Sequence, residues 1–385
     1  MGNILFFFHC GSNTGYAIGR HERTFARMAH RLLGDYQRIH FAYPSLARGR
    51  SPGLPEGVQN ILEFNPASSN KAELSRIADY VRKHEVRVAF GFDQPVRQPA
   101  YPHMRKAGVR RIISYWGAPM SSLNAGLKLL LKRIDVALAR GKPDHFVFQS
   151  EGMRSLAVNG RGIPGEMTSV VHSGVDIELF RPPKFPDSYA HDAFGIPRSR
   201  KIIFFSGHME ERKGVHVIVK TAAHLVNERG RSDVHFLLLG NVEGQERRFD
   251  PLFRGTEAEG YITFGGYRPD VPEIHKSCYA GMIGTTGWDS HTLSAVEMAS
   301  SGMPLIVSDI IGLREAVSRD TGFLFPIGDH ETAAERIEML LDDEALRREM
   351  GSAARLRVEQ GYTLDHQIDG LEKVVRHVAG DFLTG

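Results

Sequence analysis

The sequence predicts an α/β protein built from two doubly wound parallel-sheet domains, and three observations carry that prediction. Short apolar runs alternate with amphipathic stretches through the first half of the chain. A proline-rich, charged segment follows, with the composition of a linker. The alternation then restarts and continues nearly to the end. At 385 residues the chain exceeds one ordinary core, so two similar-sized domains with a cleft between them are expected. The expected division is 1–170 and 171–363, with a last helical pattern at 364–385.

In the first half the apolar runs Ile4–His9, Arg38–Tyr43, Val86–Phe92, Arg111–Trp116 and His145–Gln149 read as strands. Helical patterns lie between them at Gly19–Leu33, Lys71–Lys83 and Leu123–Ala139, and residues 44–58 read as a loop. In Leu123–Ala139, leucines are interleaved with Lys128, Lys132 and Arg133. Such a stripe ordinarily faces a domain core, and an anionic membrane surface is the other reading. After the linker come strand Lys201–Ser206, helix Val215–Asn227, strands His235–Leu239 and Tyr261–Phe264, and helix Val271–Ser277. Strand Gly322–Phe325, helices Glu331–Leu341 and Ala345–Glu359 and the final pattern Leu364–Phe382 complete the chain.

The stretch Met282–Asp309 reads as strand, polar loop, short helix, turn and strand. Ser290, His291 and Thr292 offer cap chemistry to a helix carrying Leu293, Val296 and Met298. Ser301-Gly302 stops that helix, and Pro304 leads into Leu305–Val307. A unit of this kind sets a loop and a helix N-terminus at the carboxyl edge of a parallel sheet, where anions bind. Asp289 and Glu297 flank that end. Ser294-x-x-Glu297 also fits a capping box, and Asp289 also suits an ordinary turn.

Composition excludes several classes. The 48 basic and 45 acidic residues leave a net charge of +3, which gives no support to bulk nucleic-acid binding. Two cysteines, Cys10 and Cys278, cannot build a disulfide framework or a structural zinc site and read as small core residues in a reducing, cytoplasmic setting. Met1–Cys10 lacks the basic start of a signal peptide and reads as a first strand. No apolar run reaches the roughly 18–20 residues of a membrane span. The eighteen histidines show no metal-ligand spacing, so no metal is expected.

Two further loops stand between a strand and a helix. Gly11-Ser-Asn-Thr-Gly-Tyr-Ala-Ile-Gly19 precedes a helix expected near Arg20. It matches neither a dinucleotide fingerprint nor a P-loop. Ser206-Gly-His-Met-Glu-Glu-Arg-Lys-Gly214 sets Lys213 where a point charge reaches phosphate, with His208 as a further donor. A solvated charge run is the plainer reading of Glu210–Lys213.

Together these stretches resemble the retaining glycosyltransferases of family GT4, which have the GT-B fold. Val170-Val-His-Ser-Gly-Val-Asp-Ile-Glu-Leu-Phe-Arg-Pro182 is similar to the family's inter-domain segment. Gly207–Gly214 is similar to its Gly-Arg-Leu-x-x-x-Lys-Gly loop, and Ile262–Asp270 to the segment that contacts the base. Asp289-x7-Glu297 stands where the family has Glu-x7-Glu, followed by Gly302-Met-Pro-Leu-Ile-Val.

The resemblance implies two Rossmann-like domains, an acceptor side (1–170, with the last helix crossing back onto it) and a donor side (171–363). It implies a nucleoside-diphosphate sugar, UDP- or GDP-linked, as donor and a hydroxyl as acceptor, transferred with retention and without a metal. Lys213 and His208 would neutralise the diphosphate, with Gly207 and Arg212 beside them. Glu297 would bond the ribose hydroxyls and Asp289 those of the sugar. Backbone N–H groups near His291, Thr292 and Leu293 would hold the distal phosphate, Tyr267 and Arg268 would lie at the base, and Gly15 and Gly19 would face the diphosphate. Asp93 and Trp116 would serve the acceptor. Three positions depart from the family pattern: His208 stands for an arginine, Asp289 for the first glutamate, and Trp116 for a histidine before glycine. Peripheral contact with the inner face of a membrane stays open, as does oligomeric state. Two other functions fit the same residues, a non-hydrolysing nucleotide-sugar epimerase and a catalytically silent nucleotide-binding scaffold.

Overall fold

The computed structural model describes residues 2–185, 187–240 and 242–383. The chain divides into two compact units, Met1–His172 with Asp365–Gly385, and Ser173–Leu364.

The first unit contains strands β1 (Asn3–Phe8), β2 (Ile39–Tyr43), β3 (Asn60–Glu63), β4 (Val86–Phe92), β5 (Arg111–Trp116), β6 (His145–Phe148) and β7 (Thr168–Val170). They form one parallel sheet in the order β3-β2-β1-β4-β5-β6-β7. Its helices are α1 (Tyr16–Leu33), α2 (Lys71–Lys83), α3 (Ala100–Ala107), α4 (Gly126–Leu138) and α5 (Glu151–Leu156). β1 is buried on both faces, which is why Ile4–Phe8 reads as an unbroken apolar run. Phe6 stacks with Phe25 and Phe41 on one face, while Leu5 and Phe7 enter the core beneath α2 and α3 on the other.

The second unit opens with helix α6 (Tyr189–Phe194) and builds a sheet from β8 (Lys201–Ser206), β9 (Val234–Leu239), β10 (Ile262–Gly266), β11 (Cys278–Ile283), β12 (Leu305–Ser308) and β13 (Gly322–Phe325). All pairings are parallel, in the order β10-β9-β8-β11-β12-β13. Helices α7 (Val215–Ala223), α8 (Val271–His275), α9 (Leu293–Ser300), α10 (His330–Asp342) and α11 (Glu344–Gly361) cover its faces. The last helix, α12 (Leu364–Leu383), packs with the first unit. Arg31 pairs with Asp369 at 2.7 Å, Arg38 donates to the Leu383 carbonyl, and Arg111 donates to that of Val378.

Three expectations need correction. α1 starts at Tyr16, capped by Gly15, so Gly19 lies inside the helix rather than in the loop before it. A Cβ on Gly53 would sit 2.2 Å from the Gly19 carbonyl, so the α1 backbone is packed against the 44–58 loop there. The leucines of α4 do not face a core: Val136 is the one residue of the helix that is fully buried. The capping box at Ser294 does not form, because α9 starts two residues earlier than that box requires, with Thr292 as its cap, accepting from the Ala295 N–H at 3.2 Å. Strands β3 and β7 carry no long apolar run, because both are partly exposed sheet edges.

Burial of histidine gives the second unit a definite pH response. His275 is 1% exposed, lies against the rings of Phe204 and Phe180, and shares a 3.0 Å hydrogen bond with Ser301. Burial lowers its pKa from 6.5 to about 3. The folded state therefore holds a neutral imidazole while the unfolded chain takes up a proton below 6.5. The stability this supplies is complete above 6.5 and is lost as the pH falls toward 3, at about 1.4 kcal/mol per pH unit. Urea midpoints should show the native chain losing about 2 kcal/mol more than His275→Asn between pH 6.5 and pH 5. Equal losses in the two proteins would remove His275 from the account.

Candidate active site

In an open parallel sheet, ligands bind outside the carboxyl ends of the strands where the strand order reverses. In the second unit that point lies between β8 and β11, since β8 is followed by β9 on one side and flanked by β11 on the other. The two loops leaving these strands, 207–214 and 284–292, are the ones the sequence singled out, and they are joined to each other.

The join is made of backbone and charge. The N–H groups of Thr286 and Gly287 donate to the Arg212 carbonyl at 2.9 and 3.2 Å. Gly214 has φ 64°, and a Cβ there would lie 1.7 Å from the Gly284 carbonyl oxygen. Met209, 2% exposed, anchors the first loop by packing on Gly240. Met209 carries no motif; its one sequence signal is a lone apolar residue within a charge run.

Lys213 Nζ meets both carboxylate oxygens of Asp289, at 3.0 and 2.8 Å. Asp289 is 3% exposed and also accepts from Thr285 Oγ1 at 2.9 Å and from the Ser290 N–H at 3.1 Å. Its burial is therefore matched by four hydrogen bonds, two of them from a cation. Thr285 is itself held, its carbonyl accepting from Ser308 Oγ at 2.7 Å. Arg212 pairs with Glu210 at 2.7 Å, donates to the Trp288 carbonyl and lies 3.9 Å over the Trp288 ring. Trp288 thus serves as a platform for Arg212 rather than as core. His208 stands exposed on the same loop.

α9 brings its N-terminus to this edge. Its first-turn N–H groups at Leu293 and Ser294 precede the one that Thr292 caps. Ser294 Oγ lies 3.1 Å from Ser206 Oγ at the carboxyl end of β8. Glu297 is three residues on, so it shares the face of α9 that carries Ser294, and it is 4% exposed. The His291 ring turns inward: it is buried and stacks on Tyr362 at 4.7 Å, beside an interior gap lined by Val296 and Arg357. At the far side of the sheet, after β10, Tyr267 is exposed. Arg268 is tied to Asp270, which also accepts from Tyr189 at 2.5 Å. The Arg268 guanidinium holds the Asp270 carboxyl well below the usual range.

Residues 189–357 match the family described as glycosyl transferases group 1. The matched stretch lies within the second unit. The chain is similar to a D-inositol 3-phosphate glycosyltransferase from Corynebacterium diphtheriae, at 28% identity over 197 residues. That match covers 49% of this chain and 46% of the relative, so the chain spans about half the length of the curated relative it matches. Among solved structures, a glycosyltransferase from Rickettsia africae has a TM-score of 0.80 at 16% identity, with 98% of each chain covered. Anabaena HepE, solved in complex with UDP, has a TM-score of 0.79 at 16% identity, covering 97% of this chain and 100% of its own. These likenesses establish the GT-B fold, with its two Rossmann-like domains.

The first unit has its own strand-order reversal, between β1 and β4. Gly15 is there in open space with φ 140°, at the start of α1. Asp93, with φ 52°, follows β4 and accepts from the Gly117 N–H at 2.8 Å. Burial pushes its carboxyl up from the ordinary range. Trp116 is a wall residue, its indole N–H committed to the Gln94 carbonyl and Ser114 Oγ.

Two residues near this edge were not picked out from sequence. His9 ends the β1 run and lies 3.9 Å from Asp93. Glu22, fully buried on α1, accepts from Tyr43 at 2.6 Å and from Ser51, and burial raises its pKa. The legible signal for Glu22 was a carboxylate on the apolar face of a helix. No group of three or more His, Cys, Asp or Glu side chains suited to a metal occurs among the described residues. No helix among them is long and apolar enough to cross a membrane.

Proposed function

We propose that the protein is a retaining glycosyltransferase that moves a sugar from a nucleoside-diphosphate sugar to a hydroxyl acceptor. The observation that carries this reading is the pairing of the Lys213 loop with the loop that leads into α9, at the β8/β11 reversal. That pairing sets an ammonium and unshared helix N–H groups beside one sheet edge, a combination suited to a diphosphate. Support comes also from Anabaena HepE, which has been solved with UDP and with UDP-glucose.

In this reading Lys213 exchanges its Asp289 partner for the diphosphate, and the N–H groups of Leu293 and Ser294 hold the distal phosphate. Arg212 and His208 add donors at the loop, Glu297 bonds the ribose hydroxyls, and Tyr267 and Arg268 border the base. Asp289, released from Lys213, bonds the sugar hydroxyls. Charge on the leaving diphosphate is met by the chain's own cations and backbone donors, so we assign no metal to the reaction. The diphosphate, held beside the acceptor hydroxyl, helps take its proton. Acceptor recognition is assigned to the first unit, with Asp93 and Trp116 at its β1/β4 edge.

The test is a panel of UDP-, GDP- and ADP-sugars with cell extract as acceptor, read by mass spectrometry for free nucleoside diphosphate and for transferred sugar. One donor should be consumed. Glu297→Gln and Lys213→Met should each lower kcat/KM about a hundredfold or more. Undiminished activity in either variant would refute the site assignment. Calorimetry showing that no nucleoside diphosphate binds would refute the reading as a whole.

A further inference from the structure

α4 is amphipathic in an unexpected sense. Its docked side is narrow: Val136 is buried, and Leu129, Lys132 and Asp135 are half-buried. Its opposite side carries Leu127, Leu130, Leu131, Ile134 and Leu138, all exposed, with Leu127 at 71% and Leu138 at 69%. At the helical repeat these five fall on one stripe about 100° wide. Leu123, 54% exposed, continues the apolar surface ahead of the helix. Single exposed aliphatic side chains need no explanation, but six within 16 residues form a patch.

The charges beside the patch that have no ion-pair partner among the described residues are basic. Lys128 and Arg133 flank the stripe on its two sides, and neither forms an ion pair among the described residues. The only acidic residue of the helix, Asp135, is bonded by Arg161 at 2.5 Å and by Arg97 at 2.9 Å, and those guanidiniums hold its carboxyl below the usual range. At the C-terminal end Leu138 borders an open depression that Arg97 and Arg140 also line.

We propose that α4 lies in the interface of an anionic lipid surface, with its leucine stripe among the acyl chains and Lys128 and Arg133 at the headgroups. Long basic side chains at the edge of an apolar stripe keep their stems in the apolar layer and their charges in water, which matches these positions. A second copy of the chain is the less favourable occupant. A stripe about 20 Å long and 10 Å wide offers roughly 200 Å² per copy, well below the roughly 800 Å² per partner of a stable interface. Flanking cations would also face cations across such a two-fold contact.

The experiment is flotation of the full chain with vesicles of phosphatidylcholine alone and of phosphatidylcholine mixed with phosphatidylglycerol, at low and high salt. The chain should float with the mixed vesicles, less so at high salt, and not with phosphatidylcholine alone. Lys128→Gln with Arg133→Gln should weaken partition by about thirtyfold. Leu127→Gln with Leu131→Gln should weaken it at least about tenfold. Both variants alter exposed side chains, so their urea midpoints should match the native chain. Failure to float with mixed vesicles would overturn the proposal. So would equal binding to both vesicle types, undiminished binding of the leucine variant, or a leucine-dependent dimer in light scattering without vesicle binding.

Discussion

Lys213→Met is expected to destabilise the second unit by about 3 kcal/mol at neutral pH, and adding Asp289→Asn is expected to restore most of the loss. The cause is the asymmetry of the pair. Asp289 is almost wholly enclosed, whereas Lys213 keeps 16% of its side chain in solvent. Removing the lysine strands a buried carboxylate whose remaining donors among the described residues are Thr285 Oγ1 and the Ser290 N–H. Removing the carboxylate instead leaves an ammonium that reaches water, so Asp289→Asn alone should cost less, about 1–2 kcal/mol. Urea unfolding of the four proteins closes a double-mutant cycle, and additive losses would show that the two groups are not coupled. The same set probes function. If Lys213 exchanges Asp289 for a diphosphate, Asp289→Asn should bind nucleoside diphosphate at least as tightly as the native chain, yet transfer sugar slowly.

How much of this was legible in the sequence depends on the kind of interaction. Central strands such as β1, β4 and β8 announce themselves because burial on both faces demands continuous apolar runs. Edge strands such as β3 carry no such demand and pass unnoticed. The loop residues Lys213 and Asp289 could be singled out by type and by their position after strands, but not their mutual ion pair. That pair joins residues 76 apart, and its geometry is set by the parallel contact of β8 with β11. His291 meets the same limit: its ring turns inward onto Tyr362, a residue far along the chain, and its place beside Thr292 does not signal that contact. For α4 the period was right and the direction wrong. An amphipathic pattern states that two faces differ without stating what covers the apolar one, and here the unit buries the other.

Gly214→Ala is expected to be the most damaging single-methyl change in the second unit, and Gly195→Ala provides its control. Both glycines have φ 64°, so an alanine at either position meets the same left-handed backbone penalty of about 1–2 kcal/mol. Their surroundings differ. A Cβ on Gly195 meets nothing within 4 Å, whereas one on Gly214 would lie 1.7 Å from the Gly284 carbonyl oxygen and 2.5 Å from its carbon. Both of those atoms are backbone at the end of β11, so no side chain can swing aside. Relief requires the two loops to part, which breaks the Thr286 and Gly287 hydrogen bonds to the Arg212 carbonyl and draws Lys213 off Asp289. The expected loss is about 4 kcal/mol at Gly214 against about 1 kcal/mol at Gly195, read from urea midpoints. Only the first change should also lower transfer, by about a hundredfold, because it alone displaces the lysine next to it. Equal losses at the two sites would mean that the loops are not held against each other, and the assembly of the site at the β8/β11 edge would lose its physical basis.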